Sequence, residues 1–160
     1  MLSVNIICVG KLKEKYLTEA VKEYSKRLSA FCKLNITELD ETKLFDKASD
    51  GEIAAALKSE SEKILAKVGK DSYVIAMCIE GKMYSSEQLS ALFDRVSVEG
   101  KSRVDIIIGS SFGLSDEVKR RADLKLSVSP MTFPHQLFRV MILEQVYRAF
   151  QISTGGKYHK

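Results

Sequence analysis

The chain has 160 residues, of which 45% are hydrophobic and 29% charged, and its formal net charge is +4. That length buries enough surface for one domain without metal or disulfide staples, and the composition excludes a disordered or fibrous protein. The small basic excess favours a polyanionic partner without demanding one.

Residues 1–11 (MLSVNIICVGK) hold an apolar stretch too short and too poorly flanked for a signal peptide, and no run approaches the ~18 residues of a membrane span. A cytoplasmic location with no membrane partner is expected. Within this stretch, residues 2–9 form a β-branched apolar run ended by Gly10 and read as a buried strand. Leu17, Ala20, Val21, Tyr24, Leu28 and Phe31 then recur at helical spacing, which predicts an amphipathic helix over 14–31. Leu34, Ile36 and Leu39 alternate with polar residues as a second strand, and 40–50 is the longest loop. Ser49 with Glu52 is a capping-box signature for a helix running through Ile53, Leu57, Ile64, Leu65 and Val68. Residues 72–79 predict a third strand. Ser85 with Gln88 caps a helix carrying Leu89, Leu92, Phe93 and Val96 on one face, and 103–108 predicts a fourth strand. Ser115 caps a short helix, and Leu124–Val128 is a fifth strand.

The last helix, 133–152, is apolar almost all the way round, a pattern that suits half core and half subunit interface. Strands separated by helices imply an α/β fold: a mostly parallel sheet, right-handed crossovers, and helices on both faces. No repeat or linker divides the chain, so a single domain over 1–160 is expected. Cys8, Cys32 and Cys78 are odd in number and lack a Cys-x-x-Cys pair, so they read as small buried hydrophobes in a reducing compartment, with no metal site.

Three segments offer chemistry. Gly109 and Gly113 flank Ser-Ser-Phe just after the fourth strand, at the carboxyl end of a parallel sheet, where open α/β folds bind ligands. Leu114 and Ser115 stand where a Walker A loop needs Lys and Ser or Thr, and Gly10 alone is no dinucleotide fingerprint. A phosphate-free ligand with an adenosine and an amino-acid end, such as S-adenosylmethionine, suits a turn without a lysine, because backbone donors and acceptors can read an adenine edge; a plain strand-to-helix turn is the other reading. In the second segment, 127–140, Pro130 and Pro134 bracket Met131, Thr132 and Phe133 and stiffen the approach to the last helix, where His135 reads as structural. Arg139, Glu144 and Arg148 on that apolar helix need partners, either in an Arg/Glu network at a dimer interface or in a polar ligand. The third is the tail, where Tyr158 and His159 follow a Gly155-Gly156 hinge and read either as a mobile end or as groups that fold over a site and stack on a base.

GKLKEKY near the N-terminus, IGSSFGL after the fourth strand, and MTFPHQLFRVMILEQVYRAFQI with the terminal YHK together resemble the RlmH family of bacterial large-subunit ribosomal RNA methyltransferases, of the SPOUT superfamily. The resemblance runs the length of the chain. It implies a C-terminal deep trefoil knot, a homodimer, and no metal. It further implies methylation by S-adenosyl-L-methionine of N3 of a pseudouridine in helix 69 of 23S rRNA within the assembled ribosome. By motif position the methyl donor contacts Met77, Gly109, Val128, Ser129, Pro130, Met131, Thr132 and Phe133. Two departures bear on the donor's hydrogen bonds: Ser110 stands where the family pairs two glycines, and Pro130 where other members often keep an amide donor.

The catalytic residues expected on this basis are His159, as the base for the N3 proton directly or through a water, with Tyr158 beside it and Arg139 toward RNA phosphate or the dimer partner. The tail of one subunit is expected to cover the donor site of the other. A receiver domain lacks its acidic cluster here, since Cys8-Val9-Gly10-Lys11 follows the first strand. The remaining alternative is a non-catalytic RNA-binding or ribosome-assembly factor on the same fold.

Overall fold

The computed structural model describes residues 1–160. Five strands, β1 (Ser3–Val9), β2 (Lys33–Leu39), β3 (Tyr73–Met83), β4 (Arg103–Ile108) and β5 (Leu124–Ser127), make one sheet in the order β2-β1-β4-β3-β5, and every neighbouring pair is parallel. Five helices connect and follow them: α1 (Lys15–Leu28), α2 (Asp50–Lys67), α3 (Ser86–Val98), α4 (Asp116–Arg121) and α5 (His135–Ser153). The α/β class and all ten elements expected from periodicity are present.

The strands are apolar on both faces because both faces are covered. Val4, Ile6 and Cys8 of β1, with Ile106 and Ile108 of β4, point into a core shared with Leu89, Phe93, Leu143 and Val146 of α3 and α5. The alternate residues Ile7, Val9, Ile107, Val74 and Ala76 point the other way, onto Ile64 of α2 and Val118 of α4. This period of two is the reason a central strand such as IIIG reads as a continuous hydrophobic run. On the first face α5 lies between α1 and α3, which is why so much of its circumference is apolar.

At the amino end of the sheet, fully buried Asp105 accepts hydrogen bonds from Asn5 Nδ2 (3.1 Å), the Gly69 amide (2.8 Å), Ser72 Oγ (2.6 Å) and Arg103 Nε (2.7 Å). A carboxylate so placed is tolerated because its lone pairs are all met. Both capping boxes, at Ser49/Glu52 and Ser85/Gln88, are formed.

Three boundaries, each moved by two residues or more, and one cysteine differ from expectation. The first helix stops at Leu28, and half-buried Phe31 packs on Tyr147 and Phe150 of α5 from a turn whose Phe31 and Cys32 amides both bond the Leu28 carbonyl. The third strand continues to Met83 because Lys82 and Met83 pair with β5 after a register break, with Gly81 lying so close to Leu126 that a Cβ there would stand 2.7 Å from its carbonyl carbon. The last helix starts at His135, since Pro134 takes an extended ψ of 132° as its cap. Cys8 and Cys32 are buried, and burial raises both thiols to about 11, but Cys78 is only half-buried.

Candidate active site

From β3 the chain leaves for α3 on one face of the sheet, and from the neighbouring β4 it leaves for α4 on the other. Such a divergence opens a crevice at the carboxyl ends of the strands. It is a cavity of about 460 Å³, bounded by the end of β3, the 109–114 turn, and the 127–135 bend that returns from β5. Met77, Gly109, Val128, Ser129, Met131, Thr132 and Phe133 line it together; Pro130 does not. The glycine corner and the proline-stiffened bend therefore share one hollow.

Each wall has a local cause. Gly113 sits at φ +80°, which favours glycine, and its amide donates to the Ser110 carbonyl at 2.9 Å. Gly109 is required for a different reason: a Cβ on it would collide with the Gly113 carbonyl and stand 2.9 Å from Leu114 Cδ2. Ser110 turns its hydroxyl inward to donate to the buried Glu60 carboxylate of α2 at 2.8 Å. The other Glu60 oxygen accepts from the Thr42 amide at 3.3 Å, so the 40–49 loop is fastened to the same turn. Ser129 Oγ accepts from the Met131 amide at 2.9 Å and so folds the second bend on itself across Pro130.

The interior is apolar, with Met77, Ile108, Leu114 and Leu126 facing inward, and the mouth carries exposed hydrophobic side chains: Ile79, Phe112, Val128 and Met131, the last 74% exposed. Exposed apolar groups gathered at one opening mark a surface built to be covered. The two carboxylate or ammonium groups on the walls are Glu80 and Lys119, in direct ion-pair contact. The bond between them holds the Glu80 carboxyl below and the Lys119 ammonium above its ordinary pKa. His135, expected to be structural, also lines the cavity.

A second hollow of about 400 Å³ opens between α3 and α5, where Tyr84, Ser86, Met141, Glu144 and Gln145 meet Met77, Leu126, Ser127 and Val128. The last four residues line both cavities and form a common wall.

The tail lies along its own α5. Tyr158 donates to Glu144 Oε2 (2.7 Å), stacks edge-on against Tyr147 (4.9 Å between centroids) and lies 4.7 Å beneath the Arg148 guanidinium. Burial works to raise the Glu144 carboxyl, but hydrogen bonds from Tyr158, Tyr24 and Arg148 outweigh it and hold it below its ordinary range. His159 stands between Arg148 Nη1 (3.2 Å from Nδ1) and Glu87 Oε1 (2.8 Å from Nε2). Arginine only donates, so Nδ1 accepts and Nε2 carries the proton toward Glu87. In this position the ring's one lone pair is engaged by Arg148.

Neither Tyr158, His159 nor Arg139 lines this cavity in its own chain. Arg139 is 1% exposed, paired with Glu38 (2.6 Å) and bonded to the Gly10 carbonyl (3.1 Å), with its Nε unpartnered. It anchors α5 to the carboxyl ends of β1 and β2, and its guanidinium does not reach the surface where an RNA phosphate would lie. Sequence reasoning missed Glu80, Lys119 and Phe112 as wall residues. Glu80 and Phe112 carried a positional signal, lying just beyond the carboxyl ends of the predicted third and fourth strands, whereas Lys119, in the helix after the turn, carried none.

The chain matches the family model described as "Predicted SPOUT methyltransferase" over residues 2–159. It is 56% identical over 159 residues to the ribosomal RNA large subunit methyltransferase H of Clostridium acetobutylicum, covering 99% of this chain and 100% of that protein. It is 54% identical to the protein of the same name from Clostridium novyi, with the same coverage. Among solved structures, a probable methylase family protein from Haemophilus influenzae shares the fold at 13% identity and a TM-score of 0.55, over 98% of this chain and 70% of that one. No three His, Cys, Asp or Glu side chains are grouped to hold a metal ion, and no helix is long and apolar enough to cross a membrane. With a full-length family match and relatives more than half identical from end to end, the chain belongs to the SPOUT methyltransferases, among the ribosomal RNA large subunit methyltransferase H proteins.

Proposed function

We propose that the protein methylates N3 of a pseudouridine in helix 69 of 23S rRNA, on the assembled ribosome and as a homodimer, with S-adenosylmethionine as donor. The observation that carries the reading is the single cavity into which the ends of β3, β4 and β5 converge. Its residues fit that donor: an apolar interior for the adenosine, backbone groups of 109–113 and 128–133 at its edges, and no cluster of cations such as a polyphosphate requires. When bound, S-adenosylmethionine supplies a methyl group on a sulfonium, already a good leaving group.

The protein's part is alignment and exclusion of water. The turn at Gly109 and the bend at 128–133 grip the donor, while Phe112, Ile79 and Met131 close over it. His159 of the partner's tail takes the N3 proton on Nδ1 once Arg148 lets go, with Tyr158 packed against the nucleoside. Arg139 acts from behind, holding the start of α5 against the cavity. A homodimer is supported by α5, where Leu137, Val140 and Met141 stay partly open on an apolar helix. A knot is supported by the return of the chain from β5, at the sheet edge, to a first turn of α5 at which Gln136 accepts from the Lys13 amide beyond β1 (2.9 Å).

Calorimetric titration with S-adenosylmethionine tests the donor, and mass spectrometry of rRNA from cells with and without the gene tests the nucleotide. Saturable binding with loss of one methyl at that position is expected. No heat would replace the enzyme by the non-catalytic assembly factor. The basic excess of +4 supplies few phosphate contacts, so transfer to intact ribosomes should far exceed transfer to naked rRNA. Equal rates on the two would remove the ribosome from the reading.

A further inference from the structure

The ion pair on the wall of the donor cavity lacks a structural reason of its own. Glu80 is in the register break of β3 and Lys119 in the short helix α4, and both side chains contact solvent, Glu80 at 58% exposure. A pair so exposed adds little to stability. Nor is either ion saturated: the Lys119 ammonium has three donors and Glu80 is its one partner, while Glu80 keeps a second oxygen. The remaining walls are neutral side chains and His135. An otherwise apolar hollow thus presents one positive and one negative group side by side at its edge.

We propose that Lys119 and Glu80 receive the amino-acid end of the donor, Lys119 holding its carboxylate and Glu80 its ammonium. This rests on the reading that the cavity binds S-adenosylmethionine and adds which residues recognise its zwitterionic part. A zwitterion is the ligand chemistry that two adjacent opposite charges match, and it exchanges one ion pair for two without leaving a charge unmet. RNA phosphate fits less well, because Glu80 beside Lys119 would repel it. Any carboxylate on the wall also attracts the positive charge of a sulfonium, so the effect of Glu80 must be separated from that simple attraction.

The test is calorimetry of the whole protein with three ligands. S-adenosylmethionine carries both the amino-acid end and the sulfonium, S-adenosylhomocysteine keeps the amino-acid end without the sulfonium charge, and 5′-methylthioadenosine lacks both. A hydrogen-bonded ion contact corresponds to about tenfold in affinity. Lys119→Met should therefore weaken the first two ligands by about tenfold each and leave methylthioadenosine unchanged, which also shows that the variant is folded. Glu80→Gln should do the same to a smaller extent. Equal loss for all three ligands, or no loss for any, overturns the assignment: the pair is then only a brace between β3 and α4. Loss for S-adenosylmethionine alone would leave Glu80 as a sulfonium attractant and overturn the zwitterion site. If the unaltered protein binds none of the three, the donor reading itself fails, an outcome the variants do not produce.

Discussion

Gly109 shows how a glycine on a cavity wall can be demanded by the packing of its own turn. Its missing Cβ makes room for the carbonyl of Gly113, four residues on in the same turn. Gly109→Ala should accordingly lower stability by about 1–3 kcal/mol, as for an overpacked core, as well as weaken donor binding. Urea unfolding beside calorimetry checks it, and donor loss at full stability would show that the crowding is relieved elsewhere. Ser110→Ala acts on the opposite side of the turn: it strips a donor from buried Glu60 and should cost about 1–3 kcal/mol with the cavity walls intact. At this scale the sequence was legible where a residue type has one use. Two glycines marked the 109–113 turn and two prolines the bend from 130 to 134, whereas the assignment of 128–133 to a donor came from the family resemblance. Glu80 and Lys119 escaped notice because 39 positions separate them and no periodicity joins a strand end to a helix three elements later.

Among the elements, those with chemical punctuation matched best. The capping boxes at Ser49 and Ser85 satisfy amides that would otherwise be orphaned, and both helix starts fall one residue after the cap. Ser85→Ala should cost about 1 kcal/mol, read as a shift of the unfolding midpoint at unchanged slope. A much smaller effect would mean that the packing of Leu89, Leu92 and Phe93 fixes the helix start unaided. β3 was the hardest to delimit, since the apolar run ends at residue 79 and Glu80-Gly81-Lys82 becomes strand only by pairing across a register break with β5. α5 carried its own message: a helix apolar all round sits between two others and keeps a remainder for a further neighbour. Replacing that remainder, Leu137→Glu, should shift the protein toward monomer in sedimentation velocity, while a dimer of unchanged affinity would place the subunit contact on another face.

For the molecule as a whole, strand and helix alternation was enough for the class but not for the order of the strands. Nothing local distinguishes β2-β1-β4-β3-β5 from other parallel arrangements, because the buried faces of β1, β3 and β4 carry interchangeable Val, Ile and Ala. Yet that order is what brings the ends of β3, β4 and β5 beside one another and sends the chain back across them to Gly10 and Lys13. The site was legible as a set of loops; its shape belongs to the topology. One product of that topology is a thin septum, the strip of Met77, Leu126, Ser127 and Val128 with a hollow on either side. Its four residues belong to both hollows at once, so a substitution at Leu126 alters the lining of each chamber together.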